Sequence, residues 1–100
     1  MVTLTVTRSR VAAVRLAAAD LLEAEGWDAY LNPLMNAIDR AAGYVPGSGA
    51  VDAEDTSLAV WDALAVQLGD QWPGDWERQP GRTQAEVLAA LRGAAEAVAR

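Results

Sequence analysis

Thr83-Gln84-Ala85-Glu86, running into Val87-Leu88-Ala89-Ala90-Leu91, decides the fold class of this chain. The first four residues form a capping box. The Thr83 hydroxyl can accept from the Glu86 N–H while the Glu86 carboxylate reaches back to the Thr83 N–H. Val87, Leu88, Leu91, Ala94, Ala95 and Val98 then recur at spacings of three and four, which puts them on one stripe of a helix. That stripe has to be covered, and the rest of the chain offers mainly helices to cover it.

Working back from that helix, Asp70 to Arg82 is rich in turn residues (Pro73, Gly74, Pro80, Gly81) and reads as a loop carrying Trp72 and Trp76. Before it, Ala53 to Leu68 is expected to be helical, capped by Asp52 and ended by Gly69, with Glu54 and Asp55 at the positive end of its dipole. Its inner face is expected to be Leu58, Trp61, Leu64, Ala65 and Leu68, with Val60 off the stripe. As the bearer of Trp61, it is expected to be the central helix. Asn32-Pro33 announces a further helix, with Asn32 as cap and Pro33 at the first turn. Leu34, Ala37, Ile38 and Ala41 form its stripe, and Gly43 closes it. The first helix is expected over Ser9 to Glu25, with Thr7 or Ser9 as cap, Gly26 as stop, and Val11, Val14, Ala18, Leu21 and Leu22 as stripe. Ahead of it, Val2, Leu4 and Val6 alternate with Thr3, Thr5 and Thr7 in a strand-like period, with no second strand to pair with. Residues 1–8 are therefore read as a tail, a lead into the first helix, or a segment that pairs with its copy in a dimer. The expected architecture is all-α: a small four-helix, bundle-like single domain over 1–100, with 70–82 as a tryptophan-bearing loop.

One hundred residues suffice for one modest core without staples. All eight basic residues are arginine; lysine, histidine, cysteine and phenylalanine are absent and alanine dominates, a bias that points to a high-GC genome such as that of an actinobacterium or its phage. A net charge of −6 argues against direct nucleic-acid binding, which draws its affinity from Lys and Arg. No apolar run is long enough for a membrane span, and a cytoplasmic protein is the simplest expectation.

The missing residue types also limit the chemistry. Without His, Cys or Lys there is no His-based triad, thiolate or Schiff-base chemistry, and no cofactor or metal site is expected. Ser48 lies in a Gly-Ser-Gly turn without a base and reads as a loop serine. Two carboxylate groups remain: Asp52, Glu54 and Asp55, and Asp70, Asp75 and Glu77. A paired-carboxylate reaction or a hard cation is conceivable at either, but helix capping and solvation explain them more simply. The functional edge lies with the tryptophan loop. Trp72, Asp75, Trp76 and Glu77 are the candidate partner-binding residues, because aromatics are enriched at interfaces. The competing reading is that these tryptophans close a core short of bulk. The expectation is a non-enzymatic module that binds another protein or itself; a phage or mobile-element inhibitor is the sharper version. A small-ligand binder or carboxylate enzyme using an inter-helix pocket is the alternative.

Three motifs carry a family resemblance. They are Glu25-Gly26-Trp27, Ala41-Ala42-Gly43, and Trp76-Glu77-Arg78-Gln79-Pro80-Gly81-Arg82-Thr83 leading into Glu86-Val87-Leu88. Over residues 10–98 the chain resembles an uncharacterised family of small helical proteins from actinobacteria and their phages. It departs from that pattern at Glu77-Arg78, where Asn-Asp is usual, and in lacking a cysteine before the second helix. The resemblance implies a helical fold and a genomic setting, and no activity.

Overall fold

The computed structural model describes residues 7–45, 47–49 and 51–99, and for 94–99 the backbone alone. Among the described residues five helices follow one another: α1 (Arg8–Glu25), α2 (Leu34–Ala42), α3 (Val51–Gln67), α4 (Pro73–Glu77) and α5 (Gln84–Ala99). The described residues contain no strand; one isolated bridge joins Asp28 and Asn32. The chain is all-α.

The helix ends follow from local chemistry. At α5 the capping box forms in full: Thr83 N donates to Glu86 Oε1 at 2.9 Å, and Glu86 N donates to Thr83 Oγ1 at 3.2 Å. Thr7 caps α1, its hydroxyl accepting from Arg10 N at 3.0 Å. Residues 1–6 of the expected tail lie outside the described residues, whereas Thr7 and Arg8 belong to the helix start. The C-termini of α2 and α3 share one geometry. Gly43 and Gly69 adopt positive φ, and the next amide reaches back five residues, Tyr44 N to Asp39 O at 2.8 Å and Asp70 N to Ala65 O at 2.9 Å. This double turn satisfies carbonyls that the helix itself leaves open.

Two expected caps are corrected. Asp52 lies inside the first turn of α3, because the helix already starts at Val51. Asn32 does not cap α2; its side-chain amide donates to Gly26 O at 2.9 Å and so ties down the end of α1. The loop expected at 70–82 is also corrected. Pro73 presets the first position of the one-turn helix α4, where Trp76 N donates to Trp72 O at 3.0 Å.

One core cluster draws on α1, α2, α3 and α5, including Val14, Ala18, Leu22, Leu34, Ile38, Val60, Trp61, Leu64, Val87 and Leu91. The stripe on α3 is rotated from the expected one. Val60 is fully buried, while Leu58 is 53% exposed. The rotation follows from Ser57, which is buried and hydrogen-bonds the Asp39 carboxylate of α2. That polar tie turns Ser57, Val60 and Leu64 inward and swings Leu58 out. The central helix is α1 rather than α3: both touch several neighbours, but α1 packs against α5 and α2 more extensively than α3 packs against any helix. Ala12, Ala18 and Ala19 are buried along it, and such small residues allow close helix approach.

α1 also buries a charge. Arg15 is 3% exposed and has no carboxylate partner among the described residues. Its guanidinium donates to Ala90 O at 2.7 Å, to Leu91 O at 3.2 Å and to the Gln67 side-chain oxygen. Gln67 in turn donates to Ala90 O at 2.9 Å. Burial lowers the pKa of Arg15 from its usual value.

Candidate functional site

The segment from Trp72 to Thr83 resolves into two halves with different roles. Trp76 packs against the core, and the Arg82 guanidinium covers its outer side, 4.0 Å above the ring. Arg82 is held there by the Trp76 carbonyl at 3.1 Å, Gln79 Oε1 at 2.7 Å and Glu86 Oε2 at 3.0 Å. Glu77 is 2% exposed. Its Oε2 accepts from the Trp27 indole N–H at 3.1 Å and from the Leu34 amide at 2.9 Å. It thereby supplies from α4 the N-terminal cap that α2 lacks from its own chain neighbours. Burial raises the Glu77 pKa above the usual glutamate value, against the two N–H donors and nearby Arg78, which favour the charged form. Of the four residues expected to meet a partner, Trp76 and Glu77 are thus engaged inside the fold.

Trp72 and Asp75 face solvent. Trp72 is 53% exposed, yet its indole is held in place. One side meets Trp61 edge-on, with ring centroids 5.2 Å apart. Another crosses Gly74, where a Cβ would come within 3.1 Å of the Trp72 indole nitrogen. A side chain at 74 would push the ring aside by a few tenths of an ångström. Trp61 itself is 5% exposed, and its buried indole N–H has no acceptor among the described residues.

The surface continues past Gly74. The Arg78 guanidinium approaches the same glycine and lies 5.8 Å over the Tyr30 ring. Tyr30 and Leu31 are strongly exposed at the tip of a turn built by Asp28, whose Oδ1 accepts from the amides of Tyr30 at 2.8 Å and Leu31 at 2.9 Å. Those two bonds lower the Asp28 pKa. This second exposed aromatic is not among the candidate residues read from the sequence. The Asp-x-Tyr-Leu spacing of an Asx turn was the available signal.

The other candidate groups are placed as follows. Asp52 and Glu54 lie in the first turn of α3, and Glu54 faces Tyr44, whose pKa is raised by burial first and by Glu54 second. Asp70 adopts a left-handed backbone at the end of α3. Among the described residues no group of three acidic side chains is close enough to share a metal ion, and no helix is long and apolar enough to cross a membrane. A shallow, open depression on α5 is lined by Ala85, Leu88, Ala89, Arg92 and Gly93. Its one charged group, Arg92, is tied to Asp20 and Glu23 of α1.

No curated protein and no solved structure matches the chain. Residues 33–97, from the start of α2 into α5, match a family of unknown function, DUF6197, and the chain belongs to that family.

Proposed function

We propose that this chain is a non-enzymatic protein-interaction module and that Trp72 is its anchor. The observation carrying the reading is a large aromatic that is half exposed yet fixed by Trp61 and Gly74. Such a ring loses little conformational freedom on binding, and buried aromatics supply much of the energy at interfaces. Tyr30, reached across Arg78, extends the same surface. The setting that goes with this reading is the cytoplasm of an actinobacterium or a cell infected by its phage, where an inhibitor of a host protein is one form the module could take. The homodimer version rests on residues 1–7, all but the last of which lie outside the described residues.

The test is affinity capture from a native host lysate with the wild type and Trp72→Ser, alongside thermal melts. The expected outcome is at least tenfold less captured partner for the variant, with a melting temperature within a few degrees of wild type. Equal capture by both proteins rejects the reading. Collapse of the fold would make Trp72 a core residue and also reject it.

A further inference from the structure

The charge of this molecule is unevenly placed. Residues 51–77 hold Asp52, Glu54, Asp55, Asp62, Asp70, Asp75 and Glu77, half of the 14 acids, and none of the 8 arginines. Of the seven acids elsewhere, four are paired with arginine among the described residues: Arg40 pairs with Glu25, Arg82 with Glu86, and Arg92 with Asp20 and Glu23. Among the described residues no salt bridge involves α3 or α4.

The outer face of α3 repeats this charge at helical spacing. Val51, Asp55, Leu58, Asp62 and Val66 follow one another at three- and four-residue steps, and all five are exposed. Over this 17-residue helix the face is roughly 25 Å long. Apolar and acidic side chains alternate along it. Leu58 stands one turn before Trp61, and Trp61 carries the ring of Trp72. The acidic face and the fixed tryptophan therefore adjoin.

We infer that the outer face of α3, together with Trp72, docks a basic amphipathic helix of another protein. The apolar side of such a helix would lie on Val51, Leu58, Val66 and Trp72, and its Arg or Lys side chains would reach Asp55 and Asp62. A cation over the Trp72 ring adds attraction of the same sign. A second copy of this chain is a poor occupant, because it would set carboxylates against carboxylates. Anionic lipid and nucleic acid are repelled for the same reason. The inference rests on the interaction reading above and adds the chemistry of the partner.

The test uses the full chain and three labelled 18-residue synthetic peptides with the same leucine stripe. One carries arginine beside the stripe, one citrulline and one glutamate. Fluorescence anisotropy should show the arginine peptide binding at least tenfold tighter than the citrulline peptide, with no binding of the glutamate peptide. The affinity should fall several-fold between 50 and 200 mM salt, concentrations chosen because counterion effects are large in that range. Asp55→Asn with Asp62→Asn should weaken binding at least fivefold, whereas Asp20→Asn with Glu23→Gln on α1 should leave it unchanged. Equal binding of the citrulline peptide, or equal loss in the α1 variant, overturns the proposal. If no peptide binds while lysate capture still depends on Trp72, the basic-helix inference fails and the module reading stands. If capture is also indifferent to Trp72, both fall.

Discussion

The Glu77 carboxylate joins three elements through one oxygen, taking the Trp27 indole N–H at the end of α1 and the Leu34 amide at the start of α2. Removing it strands the buried Leu34 amide and takes the acceptor from the half-buried Trp27 indole N–H. Glu77→Ala is therefore expected to cost about 2–3 kcal/mol in a denaturant melt. Glu77→Gln keeps an acceptor oxygen and removes the buried charge, so it should cost much less. The pH dependence has a definite sign. The pKa of Glu77 is raised in the fold above its ordinary 4.5, so the folded state holds this proton more tightly than the unfolded chain. Its contribution is fully present below the unfolded value and is lost as pH rises through the folded one. The stability of the wild type relative to Glu77→Gln should accordingly decline as pH is raised from 4 towards 7. A difference that stays flat, or grows, over that range would contradict the burial argument.

Among the helices, α5 has the most explicit local signal, and its box is present atom for atom. Thr83→Ala removes the acceptor for the Glu86 amide and should lower stability by about 1 kcal/mol, visible as a lower melting temperature. α3 shows where local signals run short. Leu58 and Val60 compete for the inner face, and hydrophobicity alone favours Leu58. The bond from Ser57 to Asp39 of α2 settles the rotation the other way. α4 is a further case. Its five residues are too few to show a period, and only Pro73 hints that a turn of helix begins there.

At the scale of the whole molecule, Arg15 ties α1 to the end of α3 and to the middle of α5. Three acceptors around one planar fork suit a guanidinium and not an ammonium. Arg15→Lys is expected to cost about 2–4 kcal/mol, because it leaves buried carbonyls short of donors and a buried charge poorly solvated. Urea denaturation checks this; a loss below about 0.5 kcal/mol would mean water replaces the guanidinium. In the sequence Arg15 is only an interruption in an apolar stretch. The all-α class, the approximate extent of four helices and most of their caps were legible in the chain itself, because capping boxes, Gly stops and three-and-four spacing act between residues a few positions apart. The buried Arg15, the Glu77 cap of α2, the rotation of α3 and the division of labour between an enclosed Trp76 and an open Trp72 were decided only by the tertiary structure. Each of these depends on partners 18 to 76 residues away, or on which side of a ring another helix happens to cover, and no local pattern encodes that distance.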